Sequence, residues 1–147
     1  MSKTCILCHI VFGTKKRERT IEPTRKRELY GYINQIIKNR KCQTLRINGM
    51  EDHIHILLDL HPSIALADLV KSIKQLSSNW LKENWIFPMF NGWASGYYAS
   101  SVGIENKEIV RQYIINQEEH HRNKSFGAEL EYEIRRHGLK WIEDDWQ

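Results

Sequence analysis

Asp52-His53-Ile54-His55-Ile56-Leu57-Leu58 is the stretch on which the reading of this 147-residue chain turns. Apolar and polar residues alternate at its start and turn-forming residues stand just before it, the pattern of a β-strand. Successive strand side chains point to opposite faces. Ile54, Ile56 and Leu58 therefore enter a core, while His53 and His55 stand together on the other face. Their bases are then roughly 6–7 Å apart, close enough to converge on one divalent ion. A bare His-x-His reads as two half-buried histidines with ordinary hydrogen bonds. A second feature some sixty residues later changes that.

Outward from this strand the chain divides into regular elements. Upstream, Gln43–Ile47 reads as a strand and Asn48-Gly49 as the turn of a hairpin, from which the two-histidine strand returns to about Leu60. Pro23 suits the first turn of a helix, and Leu29, Tyr32, Ile33, Ile36 and Ile37 trace its apolar stripe to about Asn39. Cys5–Phe12 is apolar on both faces except at His9, as in a central strand. Downstream, Ser63 is a plausible N-cap for a helix with Leu66, Leu69, Val70, Ile73, Leu76 and Trp80 on one side, ending near Lys82. An aromatic loop (Trp85, Phe87, Phe90, Trp93) leads to a strand over Tyr97–Val102, closed by Gly103. A third helix opens at Glu105 or Asn106 and runs to about His121. The order β-α-β-β-α-β followed by a helix predicts an α+β fold, the ferredoxin-like split βαβ. Two helices cover one face of an antiparallel sheet, and the histidine pair lies on a face left partly open. We read one domain over residues 1–147, with a core of about 5–121. The tail 124–147 is weakly helical around Ala128–Arg136, and its role is open.

At 41% hydrophobic and 27% charged residues the composition is that of a soluble globular protein. No apolar run approaches the ~18 residues of a membrane span, and no signal peptide is evident. The expected location is cytoplasmic, and an odd cysteine count of 3 is a poor disulfide framework. Cys5 and Cys8 form a CxxC, but a strand sends them to opposite faces and no second pair exists. Residues 1–50 hold 12 Lys/Arg against 3 Asp/Glu, for +9, and the rest hold 10 against 15, for −5. A basic N-terminal third with Lys15, Lys16, Arg17 and Arg19 in one loop suits contact with phosphates.

On the third helix, Ile109, Val110, Tyr113, Ile114 and Gln117 fall on one face. Gln117 is the anomaly, because an unpaired amide on an apolar face costs about 1–3 kcal/mol. Tyr113 and Gln117 are one turn apart and address the same point. Two imidazoles and an amide oxygen make a mixed N/O set for Mg²⁺ or Mn²⁺ with positions open to substrate. A tyrosine hydroxyl beside it could attack whatever the metal polarises.

The motifs together resemble the small HUH-type tyrosine transposases of bacterial insertion sequences, the single-tyrosine group that acts on single-stranded DNA. The matching features run from Val11-Phe12 and Thr14-Lys15-Lys16-Arg17 through Asp52-His53-Ile54-His55 and Leu69–Ser78. They continue through Gly96–Gly103 to Tyr113-Ile114-Ile115-Asn116-Gln117, covering about residues 5–121 in order. The resemblance implies His53, His55 and Gln117 as metal ligands and Tyr113 as nucleophile. It implies cleavage and rejoining of single-stranded DNA through a 5′-phosphotyrosine, on element ends that contain hairpins. It also implies a two-fold homodimer in which Tyr113 and Gln117 complete the neighbour's histidine pair, Gly103 allowing the helix to leave its own sheet. Trp85, Trp93, Tyr97 or Tyr98 could stack exposed bases, although packing is the commoner fate of such residues. The alternatives are a domesticated repeat-associated transposase and a relative that binds hairpin nucleic acid without cutting. A histidine-triad nucleotide hydrolase is disfavoured, since Leu57 stands where a further histidine is needed.

Overall fold

Seven consecutive buried positions, Leu7–Gly13, form β1 of the computed structural model, which describes residues 2–147. β1 pairs antiparallel with β3 (His53–Asp59) on one side and β4 (Tyr98–Ser101) on the other. β2 (Gln43–Met50) pairs antiparallel with the outer side of β3, giving the order β2-β3-β1-β4. Two helices, α1 (Lys26–Asn39) and α2 (Leu66–Glu83), cover one face. Leu29, Ile33, Ile36 and Ile37 of α1 and Leu69, Val70 and Ile73 of α2 close over Ile10, Phe12, Ile54, Ile56 and Leu58. Trp80 lies flat on Tyr32, ring centroids 4.5 Å apart, and joins the two helices at the rim. This is the α+β split βαβ arrangement that the element order predicts. Helix α1 starts at Lys26, beyond the expected Pro23, and α2 is capped at Ala65, because Ser63 Oγ is engaged by His61 Nδ1 at 2.7 Å.

The hairpin turn is not at Asn48-Gly49. β2 runs through both residues and the chain reverses at Glu51-Asp52. Asn48 instead ties the strand to α3 (Lys107–Ile115), its Nδ2 donating to the carbonyls of Ile114 and Ile115 at 3.0 and 3.1 Å, at the end of that helix. Gly49 sits opposite Ile54, where a Cβ would collide with the backbone of His53.

The histidine face does not stay open. The tail folds back as α5 (Phe126–Arg136) and lays Phe126, Leu130 and Ile134 on Val11 and Tyr98, with Trp146 closing the cluster. Ser125 caps α5, its Oγ accepting from Ala128 N at 3.2 Å. A second apolar layer thus covers the sheet and buries His53 and His55 to 0% and 1% exposure. The expected third helix breaks at Asn116 into α3 and the short α4 (Gln117–His120). Ile114 is buried as its spacing requires, but Ile109 is 68% exposed and leaves the expected stripe.

Candidate active site

Strand β3 presents both histidines on one face, with ring centroids 5.0 Å apart. Each ring is oriented through Nδ1. Asp52 Oδ1 lies 2.7 Å from His53 Nδ1, and Phe126 lies parallel on the His53 ring at 4.1 Å. His9, a diagonal neighbour on β1, brings Nε2 to 2.8 Å from His55 Nδ1. Burial pushes the His9 imidazole down to about 3 and that of His55 down to about 4, so both are neutral at ordinary pH. A neutral imidazole whose Nδ1–H is committed to a partner offers the Nε2 lone pair.

Gln117 is fully buried at the start of α4. Its Nε2 donates to the Tyr113 carbonyl at 3.3 Å, which turns Oε1 toward His53 Nε2 at 3.0 Å. With the His53 Nδ1–H given to Asp52, a lone pair faces an amide oxygen, and two acceptors at that distance suit a shared cation. The Tyr113 ring stands edge-on to His55, centroids 5.7 Å apart. Its hydroxyl donates to Glu129 and lies 3.1 Å from His120 Nε2. Burial first, and then the negative charge of Glu129, push the phenol well above its ordinary range, so it is firmly protonated at rest.

Glu129, on α5, lies at the centre of the arrangement and was not singled out from the sequence. Its carboxylate is buried, with Oε1 3.1 Å from His55 Nε2 and Oε2 against His121 Nε2. Burial alone would raise its pKa, but the close approach of His121 and His55 holds it well below the carboxylate range. These contacts are short yet misdirected. His55 Nε2, His121 Nε2 and Glu129 Oε2 are buried without a well-aligned hydrogen bond. One donor atom from each of His53, His55, His121 and Glu129 lies within 4.8 Å of the other three. Buried nitrogen and carboxylate donors that converge in this way fit a metal ion. The expected His53, His55 and Gln117 are thus brought together, and His121 and Glu129 stand with them. Spacing along α5 does not separate Glu129 from Glu131 and Glu133; the packing of the tail on the sheet does.

The basic loop is less free than its composition implies. Lys15 and Lys16 are exposed, whereas Arg17 pairs with Glu143 and lies 5.8 Å over the Trp141 ring. Arg19 Nε is bound to Glu51 at 2.7 Å. Arg17 and Arg19 line a cleft of about 290 Å³ with Asp52, His121 and Lys124, at the edge of the histidine cluster. Of the four aromatics proposed to stack bases, Trp93 is wedged against Phe12 and Phe90 and donates its N–H to Ser77 at 3.0 Å. Tyr98 is buried under α5 and Tyr97 is half-buried, while Trp85 is 74% exposed.

The family model described as "Transposase IS200 like" matches residues 2–117. This chain belongs to the IS200-like transposase family. Over 114 residues it is 27% identical to the transposase for insertion sequence element IS200 of Salmonella typhimurium, covering 74% of each chain. The Salmonella typhi transposase for the same element matches to the same extent. Among solved structures, one described as a transposase from Deinococcus radiodurans aligns with TM-score 0.64 and 22% identity, over 79% of this chain and 93% of that one. A REP-associated tyrosine transposase bound to a REP hairpin aligns with TM-score 0.60 and 16% identity, over 100% of this chain and 92% of that one. These two likenesses concern the fold. In this IS200-like transposase, Tyr113 and Gln117 face the histidines of their own chain. Gly103 has φ −66° and ψ 149°, a conformation open to any residue, so no special hinge lies there. No helix among the described residues is long and apolar enough to cross a membrane.

Proposed function

We propose that this transposase cleaves and rejoins single-stranded DNA by transesterification, with Tyr113 as nucleophile. The observation that carries the reading is the Tyr113 ring standing edge-on to His55, beside the buried His53–His55–Gln117 set. His53 Nε2, His55 Nε2 and Gln117 Oε1 would hold a divalent ion, which would supply Lewis-acid withdrawal of charge from the scissile phosphate oxygens. The Tyr113 oxygen attacks phosphorus, and its proton leaves along the existing hydrogen bond to Glu129. The bond to the 3′ oxygen breaks, and that oxygen takes up a proton from solvent. The products are a 5′-phosphotyrosine and a free 3′-hydroxyl. One phosphodiester has been exchanged for another, so a second 3′-hydroxyl can reverse the step and join a new strand without ATP.

Arg17 and Arg19 line the cleft beside His121, and with the exposed Lys15 and Lys16 of the same loop they supply the phosphate contacts. Hairpin-containing DNA is the substrate class we assign, by analogy with the hairpin held by the REP-associated relative. The cis placement of Tyr113 supports a site complete within one chain, whether or not two chains associate. The test is incubation with single-stranded DNA from the flanks of the protein's own gene and a divalent ion. A covalent protein–DNA adduct should form on Tyr113 and vanish in Tyr113→Phe, which removes one hydroxyl and almost no volume. An adduct that persists in Tyr113→Phe, or that forms on another tyrosine, refutes the assignment.

A further inference from the structure

We infer that the C-terminal segment supplies two metal ligands, His121 and Glu129, which make the centre selective for a zinc-class transition ion over Mg²⁺. The inference rests on the reading that the histidine pair binds a metal, and extends it to residues outside the span matched by the family model. Three imidazoles converge here, and each is anchored in the same way. His53 Nδ1 is held by Asp52, His55 Nδ1 by His9, and His121 Nδ1 donates to the Lys124 carbonyl at 2.6 Å. The Nε2 atoms of His53 and His55 are thereby left as lone pairs turned inward, the arrangement that outer partners impose on metal-ligating histidines. Glu129 supplies the fourth donor and the negative charge. His121 Nε2 is paired with Glu129 Oε2 in the metal-free chain, and both become donors to an ion that displaces the proton between them.

The donor chemistry then chooses the ion. Mg²⁺ demands six oxygens in near-octahedral array and usually keeps several of its waters. This centre offers three nitrogens and one carboxylate, a poor match to that demand. Imidazole-rich sets suit zinc and its first-row neighbours, which bind such a set and can still take a further ligand such as a phosphate oxygen. Donor atoms within 4.8 Å of one another need only small ring rotations to reach ligand spacing. Gln117 Oε1, beside His53 Nε2, is a fifth donor at the rim.

The experiment uses the full chain, stripped of metal, titrated with Zn²⁺ or Mg²⁺ against a chromophoric chelator, and separately loaded with Co²⁺. Wild type should bind one Zn²⁺ per chain at least a hundredfold more tightly than Mg²⁺. Its Co²⁺ form should show the intense visible absorption of a site with fewer than six ligands. Glu129→Gln and His121→Asn should each weaken Zn²⁺ binding at least tenfold, with apo-protein circular dichroism checking their fold. Weak six-coordinate Co²⁺ absorption in wild type overturns the inference without any variant. If both variants bind Zn²⁺ within twofold of wild type while His53→Ala does not bind it, the C-terminal ligands are wrong and the histidine-pair reading stands. If His53→Ala binds Zn²⁺ as wild type does, both readings fall.

Discussion

Gly13→Ala tests the C-terminal layer that encloses the site. Gly13 pairs with His53 across β1 and β3. A Cβ there would come 2.6 Å from Phe126 Cε2, 3.2 Å from its Cζ and 3.1 Å from the Asp52 carbonyl oxygen. The Phe126 ring has little freedom to slide, because it already lies flat on His53 at 4.1 Å. The whole of α5 must then lift. Overpacking of this kind costs about 1–3 kcal/mol, while replacing glycine inside a strand recovers about 0.5–1 kcal/mol. We expect a net loss of roughly 0.5–2 kcal/mol, a sizeable share of the ~5–15 kcal/mol that holds a typical domain. Phe126→Leu should cost about 1–2 kcal/mol alone. In the double variant the shorter side chain yields to the new methyl, so the two losses should fall short of their sum by about 1 kcal/mol. Urea unfolding in EDTA, followed by circular dichroism and tryptophan fluorescence, measures all four corners of the cycle. Losses that add to within about 0.5 kcal/mol, or a Gly13→Ala variant more stable than wild type, would mean that Phe126 does not lie over Gly13.

Four further outcomes follow from the geometry. Asn48→Ala leaves the carbonyls of Ile114 and Ile115 without their donor, so it should cost about 1–3 kcal/mol in urea unfolding and lower adduct yield by loosening the helix that carries Tyr113; unchanged stability would contradict it. His9 and His55 titrate at about 3 and about 4 in the fold against 6.5 unfolded. Below pH 6.5 the unfolded chain therefore binds more protons, and stability of the metal-free protein should fall with pH, by about 2 kcal/mol at pH 5 for each group if it acts alone. His121, held above its ordinary value by Glu129 against its own burial, offsets part of that loss; stability that is flat or rises from pH 7 to pH 5 would refute the buried neutral pair. Lys15→Ala with Lys16→Ala should flatten the slope of log affinity against log salt by about 1.4, two single-strand phosphate contacts, and an unchanged slope would show these lysines merely solvated. Mixing His53→Ala with Tyr113→Phe should not restore the adduct if each site is complete in one chain, whereas recovery would establish sharing between chains.

The fold was legible because its signals are local. The alternation through His53–Leu58 sets which side chains face α1 and α2, and the spacing of Leu29–Ile37 and Leu69–Ile73 sets the helices that meet them. The errors fell where tertiary contacts override local preference. Asn48-Gly49 has the composition of a hairpin turn, yet Asn48 is needed inside the strand as a donor to α3, and Gly49 is needed for its missing side chain. His9 registered only as a break in an apolar run. Its use depends on the β1–β3 register, which places it diagonally beside His55.

Glu129 marks where local spacing stops short of a site residue. Gln117 drew attention because an amide on an apolar face must be paid for by a partner. In Phe126-Gly127-Ala128-Glu129-Leu130-Glu131-Tyr132-Glu133-Ile134, the apolar stripe runs Phe126, Leu130, Ile134 at spacings of four. Glu129 and Glu131 flank that stripe alike and Glu133 lies nearer its centre, so three carboxylates border the face that α5 buries. A carboxylate there is a stronger anomaly than an amide, since a buried charge needs a partner more than a buried dipole does. The partner had to be cationic or metal-binding, which left the other histidines and most of the 22 Lys and Arg side chains open. What no local pattern reveals is which of them. That follows from the return of the tail across the sheet, driven by Phe126, Leu130 and Ile134 finding Val11 and Tyr98, and the same burial that drives the return carries Glu129 to His55, His121 and Tyr113.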